Sequence, residues 1–194
     1  MSYITDGRGR GYAAGVNSAG RLLTSSRSIP AGAFASLEGR YFAVNTDDIT
    51  LTSDSESAVL FVNYRGESQL IIPQLNLTVG TSTGGDGSAP SFRTIENPTD
   101  ISSSVFANIR NRNFSSVASS LVGDFRAGVE GDTFTGGEEF GIIRPSNIGL
   151  NSIDLNAAPI VLETGNTLGI AITPPTGNTS ATYRVFVFAY EVTL

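Results

Sequence analysis

Between residues 182 and 192 an apolar side chain stands at nearly every position. Tyr183, Val185, Val187 and Ala189 share one parity, and Phe186, Phe188, Tyr190 and Val192 share the other. Successive side chains of a strand point to opposite faces. A strand apolar on both parities is therefore expected to be covered on both sides. Residues 168–173 predict its partner, and Pro174-Pro175-Thr176-Gly177-Asn178-Thr179-Ser180 the turn between them. The prolines fix φ there and remove donors, while Gly-Asn tolerates positive φ. Burying one such side chain stabilises by roughly 1.5–3 kcal/mol, so this hairpin is the expected anchor of a sheet.

Short β-prone runs recur through the rest of the chain, at 41–44, 49–52, 58–64, 70–79, 91–95, 121–126, 133–134, 140–143 and 160–162. Within 70–79, Ile71, Leu75, Leu77 and Val79 are expected on one face and Gln74, Asn76 and Thr78 on the other. Pro73 marks an edge or a bulge. Residues 81–90 read as a Gly/Ser/Thr loop. Residues 99–120 read as a long polar loop anchored by Val105, Phe106, Ile109, Phe114 and Val117. Many short strands with almost no helical period predict an all-β fold. About eight strands in two Greek keys, a jelly-roll-like antiparallel β-sandwich, fit the count. The order of the strands does not follow from the pattern.

Residues 1–27 break it. Asp6-Gly7-Arg8-Gly9-Arg10-Gly11-Tyr12 is basic, glycine-rich and poor in large apolar groups. Such a stretch cannot bury enough apolar area to fold alone, so it is expected to be an extended N-terminal arm, with 28–194 forming a single domain. A short strand is expected at Val16 or at 21–24. The Gly-x-Gly-x-Gly spacing has no strand before it and no Gly-Lys-Ser/Thr after it, which argues against a phosphate loop.

Composition narrows the chemistry. The 194 residues contain no cysteine, histidine or tryptophan. Disulfides, thiolate metal sites and Ser-His-Asp or Cys-His catalysis are thereby excluded. The net charge of −6 argues against general nucleic-acid binding. No apolar run reaches the roughly 20 residues of a helical membrane span, and no secretory signal is visible, so assembly in a cytoplasm is expected. All basic residues are arginines, which suit interfaces and carboxylate partners. The carboxylate pairs Asp47/Asp48, Asp54/Glu56 and Glu138/Glu139 are the candidates for a two-carboxylate hydrolase. Adjacent carboxylates diverge in a strand, so no enzyme activity is expected. Asp47-Asp48 and Gly85-Asp86-Gly87 are candidate calcium ligands, but neither has EF-hand spacing and Asp-Gly is first a turn signal. No cofactor is expected. A sugar site lacks an obvious aromatic platform. The doubly apolar final strand suggests either a central strand of a two-layer fold or one whose face, Tyr183, Val185 and Val187, meets a second subunit.

The opening Ile4-Thr5-Asp6-Gly7-x-Gly9-x-Gly11-Tyr12-x-Ala14-x-Val16 with Arg21-Leu22 resembles the N-terminal arm of small structural proteins of tailed-bacteriophage virions. Further resemblance lies in Leu51-Thr52-Ser53-Asp54-Ser55-Glu56-Ser57-Ala58, Leu77-Thr78-Val79-Gly80-Thr81-Ser82-Thr83-Gly84-Gly85, Asn97-Pro98-Thr99, Asn111-Arg112-Asn113-Phe114 and the turn at 172–180. The nearest functional match is a capsid decoration, or cement, protein. The resemblance implies a jelly-roll-like homotrimer on the outer surface of an icosahedral shell, its arm lying along the major capsid protein and bridging capsomers. Arg8, Arg10 and Arg21 are then expected to pair with capsid carboxylates, and Tyr12, Leu22 and Leu23 to fill small pockets. A tail, baseplate or head-fibre protein that binds host glycans is the alternative.

Overall fold

A computed structural model describes residues 3–5, 13–15, 32, 35–36, 39–103, 105–112, 121–145 and 148–192. The chain divides into two units, residues 1–31 and 32–194. In the first, β1 (Tyr3–Thr5) pairs antiparallel with β2 (Ala13–Gly15), Tyr3 opposite Gly15. The expected arm contacts Arg8, Arg10, Tyr12, Arg21, Leu22 and Leu23 lie outside the described residues, as does the strand expected at Val16 or 21–24.

The second unit is an all-β antiparallel sandwich. Its strands are β3 (Tyr41–Asn45), β4 (Ile49–Leu51), β5 (Ser57–Tyr64), β6 (Gln69–Gly84), β7 (Ser91–Glu96), β8 (Asp100–Ile101), β9 (Asn108–Asn111), β10 (Gly123–Ala127), β11 (Phe134–Thr135), β12 (Glu138–Ile143), β13 (Gly149–Asp154), β14 (Ile160–Leu162), β15 (Thr167–Thr173) and β16 (Asn178–Val192). One sheet runs β10-β5-β15-β7-β12. The other runs β13-β6-β16-β3-β9, with β14 also on β6 and β4 also on β16. The two strands expected to form a hairpin do not pair with each other: the turn after β15 carries the chain across to the other sheet, so β15 is the middle strand of the first sheet and β16 of the second.

The core lies between the sheets. Leu60, Val62, Phe92, Leu168, Ile170 and Ile172 of the first meet Phe42, Val44, Leu51, Leu75, Leu77 and Val185 of the second. Phe92 on β7 meets Tyr183 on β16 edge to face, with ring centroids 6.0 Å apart. The outer face of the first sheet is covered by the chain itself. Ala58 and Phe61 of β5 pack there with Ile101 of β8 and Phe134 of β11 as a second, smaller core.

Two expectations about faces need correcting. Tyr183, Val185 and Val187 do not form a subunit surface. They are 0–1% exposed inside the sandwich. Buried Asn178, which donates from Nδ2 to the carbonyls of Leu51 (3.0 Å) and Ser53 (3.1 Å), is itself even, but β16 carries an extra residue between Asn178 and Ser180, and from Ala181 onward the odd positions are the buried ones. The even residues Phe186, Phe188 and Tyr190 consequently point outward and are half-buried. Ile71 likewise leaves the face of Leu75 and Leu77. Along β16, Phe188 faces Gln74 and Tyr190 faces Ile71, so β6 carries one extra residue around Pro73. That irregularity flips the parity, and Leu70 and Ile72 point inward instead. Pro73 marks a bulge in a strand flanked on both sides, not an edge.

Of the stretch 99–120, residue 104 and residues 113–120, with the expected anchors Phe114 and Val117, lie outside the described residues. The described part contributes β8 and β9, and Phe106 bridges Arg126. β13 also emerges from a region without a strong apolar signal, because as an outer strand it buries little.

Candidate functional site

The outer face of the second sheet is aromatic. Across β16 and β3, Tyr190 stands opposite Tyr41, Phe188 opposite Ala43 and Phe186 opposite Asn45. Directly opposed residues share a face, so the rings gather. Tyr41 meets Tyr190 at 5.8 Å and Phe188 at 6.2 Å, and Phe186 meets Phe188 at 5.6 Å, all edge to face. The Arg112 guanidinium, just beyond β9, lies 4.4 Å from the Phe188 ring centroid and 5.3 Å from that of Tyr41. Burial raises the Tyr41 phenol above its ordinary pKa, and the Arg112 charge offsets part of that rise. Gly32 sits against the Tyr41 and Tyr190 rings, 3.9 Å from each to the point a Cβ would occupy.

Polar groups flank the rings. Gln74 donates to Asn76 Oδ1 (3.1 Å), which also accepts from Ser152 Oγ (2.8 Å). On the other side Arg184 pairs with Asp48 at 2.9 Å. Aromatic residues and arginine with few free carboxylates form the composition typical of protein–protein contact cores. The outward face of a solvated antiparallel sheet is ordinarily polar. This one is aromatic and half-buried, and its chemistry is contact and stacking rather than proton transfer. The sequence did carry the signal. The even parity of 186–190 is as apolar as the odd, but only the register decides which faces out.

The carboxylate candidates do not converge into a dyad. Asp47, at φ 60°, is held in a turn by Asn45 and accepts from Asn108 Nδ2 at 2.9 Å. Asp54 accepts from the Gly177 backbone N–H at 3.0 Å. Glu56 and Glu139 are brought together, but around Arg93. Glu56 lies 2.7 Å from its Nη1. Glu139 lies 3.0 Å from its Nε, close enough for an ion pair but not aligned for a hydrogen bond. Both carboxylates thus engage one guanidinium rather than each other. Asp86 accepts from the Ser88 N–H at 2.9 Å, the turn role its Asp-Gly context predicts. Among the described residues no group of three potential metal ligands gathers.

The features above define an antiparallel β-sandwich with an aromatic outer sheet face. No protein-family model matches the chain, and comparison with curated proteins finds no match either.

Glu130 fastens two loops. Its carboxylate accepts from Thr52 N (2.7 Å), Thr52 Oγ1 (2.7 Å) and Ser53 N (2.8 Å). These bonds hold its pKa below the usual carboxylate value. A depressed folded-state pKa contributes stability that is present above the unfolded value, about 4.3, and is lost as pH falls through the folded value. Glu130→Gln is therefore expected to melt below the wild type at pH 7, with the gap closing as pH drops below about 4. Thermal melts across pH 3–7 read this directly. A constant gap would contradict it.

Proposed function

We propose that this protein is a structural component of a tailed-bacteriophage virion, a decoration protein that binds the outer surface of the capsid shell as a homotrimer and bridges capsomers. The observation that carries the reading is the aromatic face of β3 and β16. It offers an assembly surface, in a chain whose carboxylate candidates other than Glu138 are engaged in turns and ion pairs. Copies join through Tyr41, Phe186, Phe188 and Tyr190, and this replaces the assignment of that role to Tyr183, Val185 and Val187. The strand order supports a jelly roll. β3/β4, β16, β6 and β13/β14 lie side by side in one sheet, and β5, β15, β7 and β12 in the other. Among these strands the chain passes between the sheets at each step except from β7 to β12, where β8–β11 are inserted, as two interlocked Greek keys require. The residue resemblances along the chain point the same way. Many weak contacts per shell sum through multivalency, and the arm, with Arg8, Arg10, Tyr12, Arg21, Leu22 and Leu23, is the strap to the major capsid protein.

The test uses full-length protein with shells assembled from the major capsid protein of the same phage. Saturable co-sedimentation and a rise in the shell's thermal opening temperature are expected. The paired change Phe186→Ser and Phe188→Ser is expected to reduce the mass by light scattering from trimer to monomer, with the β circular-dichroism signal retained because both side chains lie outside the core. A wild-type protein that is monomeric and leaves shells unbound would overturn the proposal.

A further inference from the structure

We propose that the open edge of the sandwich beside β12 and β14 is a docking site for an extended polypeptide segment carrying an apolar side chain next to a lysine or arginine. This stands independently of the decoration reading and of the aromatic face.

The first sheet is finished differently at its two ends. At the β10 end, the Ala107 N–H donates to the Phe125 carbonyl and the Ala127 N–H to the Val105 carbonyl, each at 2.9 Å. The chain's own residues 105–107 thus close that edge. At the other end β12 pairs with β7 alone, and across the sandwich β14 pairs with β6 alone. Among the described residues the second edge of β12 is open. Open edges are sites where another chain adds a strand.

Between these strands lies a cavity of about 340 Å³, lined by Phe140, Leu155, Pro159, Ile160, Leu162 and Leu168 with Glu96 and Asn97 at its rim. Its size is at the lower end of pockets that hold ligands, and its lining is mostly apolar with a few polar groups. Phe140 is there because of a bulge. Glu139 pairs with Ile95 and Gly141 with Thr94, which leaves Phe140 without a cross-strand partner. Its ring is 65% exposed at the cavity mouth. A bulge that re-aims a side chain is a common device beside binding sites.

Charge selects the occupant. Glu138 stands directly across from Glu96 in the β12–β7 register. Like charges so placed destabilise a sheet. Among the described residues neither is ion-paired, and Glu96 accepts only a long 3.4 Å bond from Asn97. A shallow hollow lined by Glu96, Asn97, Gly137 and Glu138 adjoins the cavity. A partner cation seated between the two carboxylates relieves their repulsion. The neighbouring apolar side chain fills the cavity, and the partner's backbone pairs with β12. Main-chain pairing with side-chain pockets is the established logic of strand addition. The bulge interrupts the edge, so the paired segment is short and the pocket supplies most of the selectivity.

The test is a fluorescence-anisotropy titration of full-length protein against three labelled, end-blocked pentapeptides: Gly-Arg-Leu-Arg-Gly, Gly-Glu-Leu-Glu-Gly and Gly-Arg-Gly-Arg-Gly. The first is expected to bind saturably and the other two at least about tenfold more weakly. The paired change Glu96→Gln and Glu138→Gln is expected to abolish the preference for the basic over the acidic peptide. Phe140→Ser is expected to abolish the preference for leucine over glycine. All three residues are exposed, so the variants keep the core. Equal binding of the basic and acidic peptides, binding unchanged in these variants, or no saturable binding would overturn the inference. These outcomes do not depend on whether the protein binds shells.

Discussion

Gly128→Ala is expected to lower the melting temperature by about 6–12 °C or more, corresponding to a loss of at least ~3 kcal/mol in a body of this size. A Cβ at this position would sit 1.8 Å from the Ala58 carbonyl oxygen, 2.7 Å from its carbon and 3.1 Å from Val59 Cα. These are backbone atoms, and neither side can give way easily. The Gly128 N–H donates to Val59 O at 2.9 Å, and the Ala58 N–H is held by Asp132 O at 2.8 Å. Making room means separating the end of β10 from β5. Gly131→Ala is the control. Nothing lies within 4 Å of its Cβ position, but its φ is +83°. Only backbone strain, roughly 1–2 kcal/mol, is expected there. Parallel melts give the ranking. If the Gly128 variant melts no lower than the Gly131 variant, the close approach of β10 to β5 is wrong.

Phe92→Ala is the second large effect. Phe92 is fully buried and ties the two sheets together through its edge-to-face contact with Tyr183. Removing a buried phenylalanine costs about 3–5 kcal/mol in lost transfer energy and residual cavity. Set against a total of roughly 5–15 kcal/mol for a domain, that leaves a marginal protein. Denaturant titration should show the midpoint falling with the slope unchanged. A double-mutant cycle with Tyr183→Leu isolates the ring–ring contribution, expected at about 0.5–1.5 kcal/mol. The Tyr183 phenol reports the same packing, since burial pushes its pKa up to about 12. A cost for Phe92→Ala below ~1 kcal/mol would mean that the two sheets do not close around this ring.

The strands were legible wherever burial on two faces forces an uninterrupted apolar run. β5, β7 and β15 could be read from their residues almost to the boundary, whereas β16 begins at Asn178, inside the expected turn and four residues before the expected start. β13 could not, because an outer strand with Leu150 exposed and Asn151 between Leu150 and Ser152 shows no pattern that differs from a loop. Parity was the harder question. Both parities of β16 are apolar, and the choice follows the extra residue between Asn178 and Ser180 in its pairing with β6, a strand far earlier in the chain. The same non-locality moved Ile71 to the outer face through the irregularity at Pro73. The candidate site suffered most from this. The aromatic residues of β16 were in view from the sequence, but Tyr41 and Arg112 join them only through pairing across the sheet. The cavity beside Phe140 was invisible for a similar reason, since it is formed by Leu155, Ile160 and Leu162 meeting a bulged residue on a different sheet.

The placement of β15 and β16 at the middle of both sheets has a consequence for how the protein is made. Their residues, 167–192, come late in the chain, yet β5 and β7 meet only through β15, and β6 and β3 only through β16. Until these two strands have left the ribosome, the earlier strands have no shared neighbour and the edges they pair with stay open. Folding is then a closing event that waits on β15 and β16 and is dominated by distant contacts, which makes it slow. In the interval the nascent chain is prone to pair with its siblings.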